Sequence, residues 1–159
     1  MTEKLASKLI TKARQADIGI TTAESCTGGL IMGALTAISG SSAVIDSGFV
    51  TYSNQAKQDL IGVSPSTLDI YGAVSAETAF EMVTGAANAQ LRPSAAIAVT
   101  GIAGPSGGSA EKPVGLVYIG TKLPAQDALV KRYQFDGDRQ SVRDQTVLSA
   151  LEQLLSQFD

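Results

Sequence analysis

The segment that most restricts the fold of this chain is Ala95-Ala96-Ile97-Ala98-Val99-Thr100, a continuous apolar run bounded by Gly101. A strand with one face in water alternates apolar and polar residues, whereas an unbroken apolar strand must be covered on both faces. The run therefore predicts the middle strand of a sheet with helices above and below it. The flanking sequence supplies those helices. Thr2 to Ala16 sets Leu5, Leu9, Ile10 and Ala13 on one helical face, and Leu30 to Ile38 suits a buried helix ahead of the turn-forming Ser39-Gly40-Ser41-Ser42. Ser75 caps a helix to about Leu91, with Ala79, Met82, Val83 and Ala86 inward, which Arg92-Pro93 stops; Asp138 caps another that carries Val142, Leu148, Leu151, Leu155 and Phe158.

Further strands are predicted at Ile18 to Ala23, Val44 to Tyr52, Val114 to Thr121 and Ala128 to Phe135, the last two joined through Pro124 as an antiparallel hairpin. A short helix over Asn54 to Ile61 opens on an Asn cap. Helices interleaved with strands imply a single three-layer α/β/α domain over residues 1–159, with a mixed, largely parallel sheet and a C-terminal hairpin. Edge strands near that hairpin offer a route to a homo-oligomer.

Composition narrows the chemistry. Hydrophobic residues make up 44% of the 159 and charged residues 17%, a balance that folds rather than stays disordered. Twelve Lys and Arg against fifteen Asp and Glu give a net charge of −3, so no broad positive field is available to hold a nucleic-acid backbone. No membrane partner is expected either: the uncharged stretch Ser25 to Ile45 is broken by Gly28, Gly29, Gly33 and Gly40 and reads as a buried helix with its turn. The N-terminus lacks a secretory pattern and Cys26 is the sole cysteine, so a reducing cytoplasm is the expected location and a multi-cysteine zinc site is excluded. The chain has no histidine, which removes the commonest general base and the commonest transition-metal ligand.

Three segments carry groups suited to chemistry. In Ala23-Glu24-Ser25-Cys26-Thr27-Gly28-Gly29 a hydroxyl stands between a strand and a helix, where unpaired N–H groups and the macrodipole favour a developing negative charge; Ser25 or Thr27 acting only as a helix cap is the plainer alternative. Without histidine a serine nucleophile needs another base, and a lysine serves if burial disfavours its charged form. Lys57, six residues after Thr51 and five after Tyr52 at a strand end, is placed for that role; an exposed helix lysine beside a core tyrosine is the alternative. The glycine-rich loop after the central strand, Thr100-Gly101-Ile102-Ala103-Gly104-Pro105, lets backbone approach a ligand, but it is neither a Walker A loop nor a Gly-x-Gly-x-x-Gly fingerprint. Arg139 and Arg143, four apart, share one helix face and can act together on a phosphate, or can serve in surface ion pairs.

The five blocks Thr21 to Gly29, Gly48 to Asn54 with Lys57, Gly72 to Ser75, Thr100 to Pro105 and Lys112 to Gly115, in this order over nearly the whole chain, resemble the CinA C-terminal domain family. The resemblance implies nicotinamide mononucleotide (NMN) deamidase activity, which releases ammonia and leaves nicotinate mononucleotide. It implies Ser25 as nucleophile, Lys57 as its base or proton shuttle, and Tyr52 as a hydrogen-bonding partner that orients the pair. Thr27, Gly28 and Gly29 and the loop residues Thr100, Gly101, Ala103 and Gly104 are expected to line the pocket, with Arg139 or Arg143 on the phosphate. Such an acyl-enzyme mechanism requires no cofactor and no metal. A module that binds a nucleotide without turnover, or an amidase for another small amide, is the competing expectation.

Overall fold

A computed structural model describes all 159 residues. Five strands, β1 (Gly19–Glu24), β2 (Phe49–Val50), β3 (Ser94–Gly101), β4 (Leu116–Lys122) and β5 (Leu129–Gln134), form one sheet in the order β2-β1-β3-β4-β5. Six helices flank it: α1 (Thr2–Gln15), α2 (Leu30–Thr36), α3 (Asn54–Ile61), α4 (Pro65–Tyr71), α5 (Ala76–Asn88) and α6 (Arg139–Ser156).

The apolar run occupies the centre as β3, and its alternate side chains enter two different cores. Ala95, Ile97 and Val99 pack with Leu9 and Ile10 of α1, Ile31 and Leu35 of α2, and Leu151 and Leu154 of α6. Ala96 and Ala98 face the other way, into a cluster with Met82, Val83 and Ala86 of α5, Leu68 of α4 and Ile61 of α3. All five of these β3 residues are fully buried, which gives the three layers their physical basis.

Parallel pairing is confined to the N-terminal half, where β1 runs parallel to β2 and to β3. From β3 onward the sheet is antiparallel, and β4 with β5 forms the expected hairpin. The predicted strand over Val44 to Tyr52 shrinks to Phe49–Val50. Before Phe49, the Ser47 carbonyl accepts from the Thr21 hydroxyl at 2.9 Å, and Val44 closes a short 3₁₀ turn over Ser41–Ala43. The cap of α3 is Ser53, whose hydroxyl accepts from the Ala56 N–H, so Asn54 is the first helical residue and not the cap. Ser75 and Asp138 cap α5 and α6 as predicted. The sequence reading left α4 unassigned; its signal is Ser64 followed by Pro65 at the first turn, but only Leu68 of its seven residues is buried, too thin a stripe to show periodicity. At the sheet edges, β2 is two residues long and β5 exposes Lys131 and Arg132, both of which discourage strand addition by another chain.

Two features of this frame place the site. The carboxyl ends of β2, β1 and β3 lie along one edge of the sheet, so Thr51, Ser25 and Gly101 come together there. The end of α3 rests on α5 backbone to backbone: a Cβ added at Gly85 would stand 1.9 Å from the Ile61 carbonyl oxygen. Only glycine permits that approach.

Candidate active site

Ser25 extends β1 by one residue, its N–H donating to the Val99 carbonyl at 3.1 Å. The chain then turns through Cys26 to Gly29 into α2, with Gly28 at φ 60° and Gly29 at φ 108°, a region that disfavours other residues. Glu24 lies beneath this turn, fully buried. Its Oε1 accepts from the Thr27 hydroxyl at 2.7 Å and the Ile31 N–H at 2.8 Å, and its Oε2 from the Met32 N–H at 3.0 Å and the Thr22 hydroxyl at 3.3 Å. The carboxylate thus caps α2 and spends the positive end of that short helix. The expectation that the helix start itself faces the reacting centre is corrected here, because its N–H groups are already taken.

Lys57 is carried by α3 back toward Ser25. Its side chain is among the largest fully buried in the protein, 1% exposed, and its Nζ lies 3.1 Å from Ser25 Oγ, 2.9 Å from the Thr51 carbonyl oxygen and 3.4 Å from that of Tyr52. Burial pushes the Lys57 amine below its ordinary 10.5, because no carboxylate pairs with it and the charged form loses its hydration. Cys26 would oppose this only as a thiolate. Burial pushes that thiol up to about 11, so near neutral pH it is uncharged and leaves the lysine shift standing.

The three acceptors have a specific meaning for a neutral amine, which owns two N–H groups and one lone pair. The carbonyls of Thr51 and Tyr52 can take the two N–H groups. Nζ donates to Ser25 Oγ at 3.1 Å when charged, and once neutral it can turn its lone pair to that same hydroxyl. This is the arrangement a base needs before it draws a proton from an attacking oxygen.

A pocket of about 210 Å³ opens over the pair, lined by Ser25, Cys26, Tyr52, Asn54, Lys57, Ala73, Val74, Thr100, Gly101, Ala103 and Arg139. Of the residues expected from the sequence, Ser25, Lys57, Tyr52, Thr100, Gly101, Ala103 and Arg139 are brought together here. Gly104 stands just behind, its carbonyl accepting from Arg139 Nη1 at 2.8 Å. Tyr52 is present in a different capacity from the one expected: its backbone carbonyl meets Lys57, while its exposed phenol oxygen accepts from Arg139 Nη2 at 3.3 Å.

Thr27, Gly28 and Gly29 do not line the pocket. Thr27 is fully buried with its hydroxyl on Glu24, and the two glycines serve the turn. Arg143 does not line it either; its guanidinium is engaged by the carbonyls of Cys26 and Thr27. The sequence reading gave Glu24 no part. Its signal was a lone charge ending an apolar strand immediately before twenty-one uncharged positions, Ser25 to Ile45. No three carboxylate, thiol or imidazole side chains converge in a way that could hold a metal ion. A larger concavity of about 510 Å³ between α4, α5 and β5, lined by Tyr71, Phe80 and Val130 among others, shares no residue with the Ser25–Lys57 pocket.

Comparison with known proteins matches residues 2–158 to the family model described as the CinA C-terminal domain. An Enterobacter agglomerans protein named nicotinamide-nucleotide amidohydrolase PncC is 52% identical over 139 residues, which cover 87% of this chain and 84% of that one. The Escherichia coli K12 protein of the same name is 48% identical over 147 residues, 92% of this chain and 87% of that one. A solved structure, the competence/damage inducible protein CihA from Agrobacterium tumefaciens, superposes with a TM-score of 0.94 at 51% identity, covering 98% of this chain and 94% of that one. The ordered motifs, the three-layer frame and these likenesses lead to one conclusion: the chain belongs to the CinA C-terminal domain family.

Proposed function

We propose that this protein is a nicotinamide-nucleotide amidohydrolase that converts NMN and water to nicotinate mononucleotide and ammonia. The amidohydrolase relatives support the substrate class. The observation that carries the reading is the buried Lys57 Nζ 3.1 Å from Ser25 Oγ, with the backbone carbonyls of Thr51 and Tyr52 as its other partners.

In the first half-reaction Ser25 Oγ attacks the carboxamide carbon as its proton passes to the neutral Lys57 amine. Collapse of the tetrahedral intermediate breaks the C–N bond, and Lys57 returns the proton to the departing nitrogen, which leaves as ammonia. A nicotinoyl ester on Ser25 remains. Water then attacks that ester with Lys57 again as base, restoring the Ser25 hydroxyl and releasing the acid. Proton transfers of this kind, by a group already in place, contribute about 10²–10⁴-fold each.

Arg139 is the phosphate ligand in this reading. It stands at the pocket mouth with Tyr52, and a 210 Å³ cavity accepts the reacting head of a nucleotide while its anionic end stays at the rim. The reaction is placed in the cytoplasm, in keeping with the unpaired Cys26; no helix is long and apolar enough to cross a membrane. The test is ammonia release from NMN by the purified protein with a chelator present. Wild type should turn over and Ser25→Ala should not. A fully active Ser25→Ala protein overturns the mechanism, and saturable NMN binding without any ammonia would make the chain a binding module instead.

A further inference from the structure

The tetrahedral intermediate needs donors for its oxyanion, and the helix behind the nucleophile has none to give, since Glu24 takes the Ile31 and Met32 N–H groups. The turn itself does. The first three carbonyls from Ser25 onward are held: that of Ser25 accepts from the Gly28 N–H at 3.1 Å, that of Cys26 from Arg143 Nε at 3.1 Å, and that of Thr27 from Arg143 Nη2 at 3.3 Å and the Leu30 N–H at 3.2 Å. The N–H groups of Cys26 and Thr27, directly after Ser25, bond to no other residue. In a trans peptide unit the C=O and N–H point in opposite directions, so fixing each carbonyl also aims the N–H that shares its plane.

We propose that Arg143 is a positioning residue for the reaction: reaching across from α6, its hold on the Cys26 carbonyl aims the Thr27 N–H at the oxyanion, and its hold on the Thr27 carbonyl fixes the Gly28 N–H that in turn holds the Ser25 carbonyl and so aims the Cys26 N–H. This inference rests on Ser25 being the nucleophile. Arginine suits the task because its planar fork spans two carbonyls at once, whereas a lysine offers a point charge to one. A third hydrogen bond, from Nη1 to Gln140 Oε1 at 3.2 Å, holds the fork from its own helix. Donors fixed beforehand need no reorganisation when charge develops, which is the source of their catalytic effect.

The experiment compares wild type, Arg143→Met and Arg143→Lys, with Ser25→Ala as control. It uses the burst of Ser25 acylation by p-nitrophenyl acetate, then kcat and KM for NMN and for nicotinamide riboside, which lacks the phosphate. In Arg143→Met, acylation and kcat should fall about 100-fold, equally for both amides, with KM changed less than about threefold. Arg143→Lys should lose about tenfold or more, and it decides the matter alone if the Met variant does not fold. A folded variant that acylates within about twofold of wild type overturns the inference, as does a defect confined to the phosphate-bearing amide, which would make Arg143 a phosphate ligand. A Ser25→Ala protein that still gives the burst overturns the nucleophile reading and this inference together. An intact, Ser25-dependent burst that Arg143 does not influence overturns this inference alone.

Discussion

Replacing Glu24 by glutamine changes one oxygen for a nitrogen and keeps the shape, so its cost follows from hydrogen bonds alone. The carboxylate accepts four, two on each oxygen, and is wholly shielded from water. Whichever way the glutamine amide is turned, its NH₂ meets one backbone N–H, from Ile31 or Met32, and one threonine hydroxyl. The hydroxyl can rotate and accept instead, so the favoured orientation puts NH₂ toward Met32 and Thr22, the longer pair. One charge-assisted bond, worth about 1.5–3 kcal/mol, is then lost, and one part-buried N–H is left unpaired, at the low end of about 1–3 kcal/mol. These two effects overlap, because they describe the same Met32 N–H. A destabilisation of about 3 kcal/mol is therefore expected, and a Tm about 6–12 °C lower for a domain of this size. Urea unfolding monitored by far-UV circular dichroism measures it, with Thr27→Ser as a control that keeps the 2.7 Å hydroxyl bond. A Glu24→Gln loss under about 1 kcal/mol would refute the claim that this carboxylate organises the turn under Ser25.

Two further outcomes follow from the buried titratable groups. Because the folded pKa of Lys57 lies below its ordinary 10.5, the unfolded chain binds more protons between the two values, and stability must rise with pH across that window, up to about 10.5. Lys57→Met should abolish ammonia release and remove this slope; equal slopes in urea midpoints for wild type and variant between about pH 7 and 10 would contradict the assignment. The Cys26 thiol, 7% exposed and pushed up to about 11, should fail to react with a disulfide reagent at pH 8 in the native protein and should titrate fully in denaturant. Rapid native labelling would show that the burial is wrong.

The sequence made the frame legible where burial and period are strong. Ala95 to Thr100 sits at the centre with both faces covered, and the stripes of α1 and α5 point inward as their spacing requires, whereas α6 buries Val147, Ala150 and Leu154 beside Val142 and Leu151 and leaves Leu148 outside the core. What it hid were effects of local competition. Ser53 capped α3 in place of Asn54, and Ser47 joined the Thr21 hydroxyl in place of a strand ladder, because short polar side chains offer backbone groups several equivalent partners. Motif order singled out Ser25 and Lys57, and the structure sets them 3.1 Å apart. The role of Arg143 was not, since its partners lie 117 and 116 residues away and are carbonyls, which every residue carries. Nothing in residue identity marks a backbone acceptor.

Gly85 has a consequence for how the protein works. With α3 seated against α5 at a distance no side chain would allow, the segment bearing the amine is anchored at its end on the α5 backbone. The Lys57 amine and the Ser25 hydroxyl are thus held 3.1 Å apart by the frame itself, with the exposed Tyr52 and Arg139 side chains at the rim of the pocket. A single methyl at residue 85 would prise the two helices apart and disarm the centre without touching any atom in it.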